Sequence, residues 1–296
     1  MNSLMSSQPW PEMQPAEIEL HFNPRATVPD SERYGDRRAA HNKAALALPG
    51  RIAGLPYGDG PLMDLDIYLP EDAAGAPPVH VFVHGGYWRS RTKEDFAYLG
   101  AALAGQGIMT VVINYPLCPA VDLDAVVAGA RAAIEWVCRN IAAHGGDPDR
   151  ITLSGHSAGA HLGAAIIAED WPTHGLTQEP LAGAVLISGI YDPAPARLTT
   201  VNAEIGLTDD LVRRHNYLAH PPRLDCPVTV IAGGGEPKGW IAQSEAYAAH
   251  LRGSGRNVHY LVSGTDNHFE LQDQYLDSRS DVMQAVLGLA RVGPGQ

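Results

Sequence analysis

From residue 52 onward the chain alternates two kinds of apolar pattern. Short β-branched or alternating runs at 65–69, 80–83, 109–114, 151–153, 184–188, 228–231 and 258–262 predict strands. Between them, apolar residues recur at helical spacing over 96–104, 123–141, 240–251 and 271–290, and a small-residue helix starts at Ala158. The clearest stripe is Leu123, Val126, Ala130, Ala133, Ile134, Val137 and Ile141, closed by Gly145 and Gly146. Strands alternating with helices require crossover connections, so the pattern predicts an α/β protein with a mostly parallel central sheet covered on both faces. The stretch 189–225 is irregular and is expected to supply a small lid segment at about 190–225. Residues 1–35 are rich in proline and polar groups without sustained periodicity, and read as an N-terminal arm or a loose tail ahead of a single domain, 36–296.

Composition narrows the class. The 296 residues are 45% hydrophobic and 18% charged, enough to fill a large core. Lys and Arg number 21 against 33 Asp and Glu, a net charge of -12 that repels phosphate backbones and anionic membranes, so neither nucleic acid nor membrane is an expected partner. Cys118, Cys138 and Cys226 are an odd number at wide spacing, which fits a reducing, cytoplasmic setting. The opening residues have no basic start followed by an apolar run, and the longest uncharged stretch, 96–121, is interrupted by prolines; neither a secretory signal nor a membrane span is expected.

In such sheets the chemistry sits on loops at the carboxyl ends of the strands. After the strand at 151–153 the chain reads Gly155-His156-Ser157-Ala158-Gly159 and turns at once into a helix. The glycines permit a sharp turn that lifts the Ser157 hydroxyl above the sheet at the positive end of that helix. A second motif, His84-Gly85-Gly86-Tyr87-Trp88, follows the strand at 80–83. Its glycines let the backbone approach a reacting carbonyl, and the N–H groups of Gly85, Gly86 and Ala158 are candidate oxyanion donors. Of the seven histidines after Ser157, only His268 follows the final strand, which makes it the candidate base. Glu236 is the only carboxylate between Gly233 and Trp240 and is the candidate acid, with Asp192 as its main competitor and Asp266 too close to His268 to be favoured.

These residues resemble the α/β-hydrolase superfamily and, within it, the kynurenine formamidase (arylformamidase) and related esterase group with a His-Gly-Gly-aromatic-Trp motif. The resemblance spans about residues 50–290 and is carried by His84 to Trp88, Gly155 to Gly159 and Asn267-His268-Phe269, with weaker echoes at Asn114 to Pro119, Ser188 to Asp192 and Gln243-Ser244. It implies the α/β-hydrolase fold, with Ser157 as nucleophile, His268 as base, and Gly85, Gly86 and Ala158 as oxyanion donors. Counting back from Gln243-Ser244, the family's aspartate falls on Glu236, a departure by one methylene. Pro116 and Cys118 also depart from the Tyr-Arg-Leu-Ala-Pro form of related esterases.

The expectation is a serine hydrolase, needing no cofactor or metal, that cleaves a small aryl amide or ester through an acyl-enzyme. An arylformamidase acting on an N-formylkynurenine-like substrate leads; a carboxylesterase for small aryl or acyl esters stands beside it. A non-catalytic binding protein on the same fold is the alternative of another class. Tyr87, Trp88 and Tyr191, with the rest of the irregular segment, are expected to line the substrate pocket. The partner is a small molecule, and the oligomeric state stays open. A helical His-x-x-x-His metal pair is lacking, since His156 and His161 are five apart.

Overall fold

Continuous runs of Val, Ile and Leu build the centre of the molecule. The computed structural model describes residues 10–71 and 75–291; the first part of the expected arm, 1–9, lies outside the described residues. The strands are β1 (Arg51–Pro56), β2 (Asp64–Tyr68), β3 (Val79–Val83), β4 (Met109–Ile113), β5 (Ile151–His156), β6 (Gly183–Ile187), β7 (Val228–Gly233) and β8 (Val258–Ser263). They form one sheet in the order β1-β2-β4-β3-β5-β6-β7-β8, antiparallel at β1–β2 and β2–β4 and parallel elsewhere. The inner strands β3 to β7 are buried along their whole length, as parallel strands covered on both faces must be. The edge strand β1 was not expected as a strand; none of its residues is buried, and an irregularity between Ile52 and Leu55, at left-handed Gly54, breaks the alternation.

The helices are α1 (Pro15–Phe22), α2 (Pro24–Thr27), α3 (Glu32–Leu46), α4 (Ala97–Ala104), α5 (Leu123–Asn140), α6 (Ala158–Ala168), α7 (Asn202–Ile205), α8 (Asp209–Arg214), α9 (Lys238–Gly253) and α10 (Asp281–Arg291). Helices α5, α6 and α9 bury their apolar faces on one side of the sheet, and α4 and α10 on the other. The helix expected over 271–290 is interrupted: Glu270–Leu276 is a 3-10 turn, and Asp277 accepts the Arg279 N–H at 2.9 Å. That local side-chain bond competes with the helical one and delays α10 to Asp281.

The arm is largely helical rather than loose, and residue 35 falls inside α3, so that boundary divides a continuous element. Helix α1 begins with a reciprocal capping box between Gln14 and Glu17. It buries Ile18 and Phe22, and a Cβ at Gly239 would lie 2.7 Å from the Phe22 ring, so glycine is what lets α1 dock on α9. The 190–225 segment is anchored rather than lid-like, with Ile190, Tyr191, Val201, Leu211 and Tyr217 buried in the core cluster they share with α5, α6 and α9. Among the described residues no helix is long and apolar enough to cross a membrane.

Candidate active site

Ser157 joins β5 directly to α6 with φ 59° and ψ -118°, a backbone that L residues rarely adopt. Its N–H donates to the Ile187 carbonyl of β6 at 2.9 Å, fixing the turn to the neighbouring strand. The flanking glycines are required by space: a Cβ at Gly155 would lie 2.2 Å from the Gly159 carbonyl oxygen, and one at Gly159 would lie 2.0 Å from that of Val83. The hydroxyl therefore stands at the N-terminal, positive end of α6.

Beyond β3, the His84 ring is stacked between Phe96 and Tyr115, with its Nδ1 bonded to the Gly85 carbonyl at 2.7 Å. Burial pushes His84 down to about 4, so it is a neutral spacer that shapes the turn. A Cβ at Gly85 would stand 3.1 Å from Ser157 Cβ, the close approach the two glycines permit. Among the described residues, nothing accepts a hydrogen bond from the N–H groups of Gly85, Gly86 or Ala158. Three donors left open beside a serine hydroxyl suit a developing oxyanion.

Glu236 follows β7 and is buried. Its Oε2 accepts the Gly233 N–H at 2.8 Å, and its Oε1 accepts from His268 Nδ1 at 2.7 Å. The glycines before it bring the two loops together, since a Cβ at Gly233, Gly234 or Gly235 would lie 2.0–2.3 Å from carbonyl oxygens of the 264–266 loop that leads to His268. Asp192 is elsewhere: its carboxylate accepts the Ala194 N–H, its backbone is gripped by Gln243, and burial raises its pKa. Asp266 bonds Gln274 rather than His268.

Two features escaped the sequence reading. Ser188, at the end of β6 with φ 53°, donates its hydroxyl proton to Glu236 Oε1 while its Oγ lies 2.9 Å from His268 Nδ1. The signal was a serine ahead of glycine at a strand end, present in the sequence but without a role to suggest it. The second is a chain of bonds from α3: Arg38 donates to Gln272 Oε1 at 2.5 Å, Gln272 Nε2 donates to His156 Nδ1 at 2.8 Å, and His156 Nε2 donates to the His268 carbonyl at 2.9 Å. Burial, with the neighbouring His268 ring, holds His156 well below the usual histidine range, so it is neutral with its proton on Nε2.

Ser157, His268, Gly85, Gly86 and Tyr87 line one cavity of about 100 Å³. Its outer wall comes from the arm and α3, including Pro24, Tyr34 and Arg38, and from the 190–225 segment only Val201 contributes. Trp88 and Tyr191, expected in the pocket, are fully buried and do not line it. Trp88 packs edge-on against His161, and Tyr191 stacks on Tyr247 at 4.1 Å; in both, the aromatic surface is satisfied by core packing. No cluster of His, Cys, Asp or Glu fit to hold a metal is present among the described residues.

Comparison with known proteins agrees with this architecture. The BD-FAE family profile matches residues 65–175. A proposed thioesterase from Silicibacter sp. TM1040 superposes with a TM-score of 0.78 at 25% identity, covering 91% of this chain and 99% of the other. The chain has the α/β-hydrolase fold. This α/β-hydrolase is 29% identical over 279 residues to kynurenine formamidase from Danio rerio, covering 90% of this chain and 94% of the relative. It is also 33% identical over 248 residues to esterase LipQ of Mycobacterium tuberculosis, covering 73% of this chain and 59% of LipQ. These likenesses support hydrolase activity.

Proposed function

We propose that this α/β-hydrolase is an arylformamidase using a Ser157–His268–Glu236 triad, with an N-formylkynurenine-like aryl formamide as substrate. Ser157 Oγ attacks the formyl carbon while His268 Nε2 takes its proton, and the N–H groups of Gly85, Gly86 and Ala158 receive the oxyanion. As the C–N bond breaks, His268 returns the proton to the leaving aryl amine; water then cleaves the formyl-enzyme to formate with His268 again as base. Glu236 holds the imidazole tautomer with the proton on Nδ1 and stabilises the imidazolium, and Ser188 orients both.

The observation that carries the reading is the size of the cavity. At about 100 Å³ beside Ser157 it holds a formyl or acetyl group, whereas drug-sized ligand sites run to roughly 300–1,000 Å³. A carboxylesterase for short-chain aryl esters draws support from the same volume and from the resemblance to LipQ. Rates on N-formylkynurenine and on phenyl formate, acetate, butanoate and hexanoate separate them: the formamide should give the highest kcat/KM, and the esters should decline with chain length. A preference for hexanoate would defeat the small-acyl reading, and inert N-formylkynurenine beside good acetate turnover would leave the esterase. A cytoplasmic setting is supported by Cys118, Cys138 and Cys226, all free thiols.

A further inference from the structure

His268 belongs to no strand or helix; it stands between β8 and the 3-10 turn that starts at Glu270, on a loop, where backbone is ordinarily most mobile. Glu236 and Ser188 act on its ring at Nδ1, which leaves the main chain that carries the ring to be fixed by other means. Among the described residues, His156 Nε2 is the one donor to the His268 backbone carbonyl, at 2.9 Å. His156 is the last residue of β5 and the chain neighbour of Ser157; it is buried, and its ring centre lies 4.6 Å from that of His268. One side chain thus ties the residue before the nucleophile to the backbone of the base.

The direction of this bond is set from the far end of the chain. A guanidinium has only donors, so the Gln272 oxygen facing Arg38 must accept, and the Gln272 amide nitrogen is thereby turned to donate to His156 Nδ1 at 2.8 Å. A lone pair at Nδ1 puts the ring proton on Nε2, opposite a carbonyl that can only accept. Arg38, Gln272 and His156 are all buried, so bulk water does not compete for these groups. Arg38 is itself anchored, giving its Nε to Asp273 and an amino group to the Phe269 carbonyl, both at 2.5 Å. One turn earlier on α3, Tyr34 stacks on Phe269 at 5.7 Å and its hydroxyl accepts from Asn267 Nδ2 at 2.8 Å. Helix α3 therefore holds both neighbours of His268, while His156 holds His268 itself.

We propose that His156 is a positioning residue for His268, and that Gln272 and Arg38 act through it by locking its tautomer. The proposal rests on the reading of His268 as the base. Such a tie matters because proton transfer tolerates little misplacement: an error of about 1 Å in a reacting group can cost about a hundredfold in rate. The His268 imidazole must meet Ser157 Oγ when the acyl group is taken up and a water when it is released, so a shift of its backbone slows both steps. The effect falls on turnover, since His156 holds the base rather than the substrate.

The test follows phenyl acetate hydrolysis, with intact sites counted by the extent of serine labelling with an alkyl fluorophosphonate. His156→Phe keeps a ring in place and removes both bonds; kcat per labelled site should fall about tenfold or more while KM stays within about twofold. His156→Gln returns an N–H at the reach of Nε2 and should recover most of that loss. Gln272→Glu still accepts from Arg38 but has no proton for Nδ1, so it should lower kcat about fivefold or more, and should cost nothing further when added to His156→Phe, because residues acting through one another are not additive. Wild-type kcat in His156→Phe, a change confined to KM, equal losses in His156→Phe and His156→Gln, or the same factor for Gln272→Glu with and without His156 would overturn the proposal. Should His156→Phe not fold, Gln272→Glu decides alone: a loss in kcat at constant KM supports the tie, and wild-type kcat rejects it. His268→Ala separates the proposal from the reading beneath it, since turnover surviving in His268→Ala removes the base, whereas an inert His268→Ala beside a fully active His156→Phe removes only the positioning role. If phenyl acetate is not hydrolysed, the rate of serine phosphonylation replaces kcat with the same ranking, and a serine that resists the label rejects both.

Discussion

Glu236 Oε1 lies 2.7 Å from His268 Nδ1, with both side chains buried at the ends of adjacent parallel strands. Asp192, the main competing carboxylate, has no bond to the ring. Glu236→Gln should therefore keep the fold while lowering kcat steeply, by analogy with the about ten-thousand-fold loss when a serine protease's aspartate becomes an amide. Asp192→Asn should leave kcat within a few-fold of wild type. Steady-state kinetics on the best substrate checks both, and the reverse ranking would reassign the acid.

Ser188 is expected to tune this pair. Its hydroxyl donates to the same Glu236 oxygen that accepts from His268, so it steadies the carboxylate and shares the Nδ1 proton. Ser188→Gly suits φ 53° and removes only the hydroxymethyl group. It should cut kcat by about ten- to a hundredfold, in line with a charge-assisted bond worth roughly 1.5–3 kcal/mol, while KM changes little. A loss confined to KM would place Ser188 outside the proton-transfer apparatus.

The backbone at Ser157 stores strain that substitution can expose. Ser157→Ala and Ser157→Gly should each abolish turnover, with losses approaching about a million-fold. Glycine tolerates φ 59° where alanine does not, so the glycine variant should be more stable than the alanine variant by about 1 kcal/mol. Denaturant melts of the two inactive proteins measure that difference, and equal midpoints would mean the elbow is unstrained.

Buried neutral histidines set the acid limit of the fold. Burial depresses His80 and His161 to about 3 and His84 to about 4, and it holds His156 well below the ordinary value of 6.5. In the unfolded chain these rings take up protons below about 6.5, so the unfolded state binds more protons than the folded one from there downward. Stability is thus fully present above about 6.5 and falls as pH drops toward the depressed values, with up to about 1.4 kcal/mol lost per pH unit for each ring. Calorimetry should show Tm flat from pH 7 to 8 and falling steeply from pH 6.5 to 5; a Tm unchanged at pH 5 would contradict neutral burial.

Periodicity along the chain was enough to read seven of the strands, because the inner strands are buried on both faces and must be continuously apolar. Gly155, Gly159 and the three glycines before Glu236 were legible for a related reason: each marks a local turn or a close backbone approach. The arm was less legible. Its helices α1 to α3 have short or polar patterns and gain their burial from distant surfaces, as Tyr34 does by stacking on Phe269 and Arg38 by bonding Gln272 and Asp273. The same limit explains Trp88 and Tyr191, whose aromatic character fits a pocket wall and a core equally well until their neighbours are known. The chain by itself determined which residues end strands and which turns could be sharp, since backbone sterics and side-chain period act over a few residues. Only the tertiary structure decided that Ser188 lies between Glu236 and His268, and that an arm more than a hundred residues from Ser157 walls the cavity. Those contacts join loops from different strand ends, and no local pattern in the sequence encodes which loops will meet.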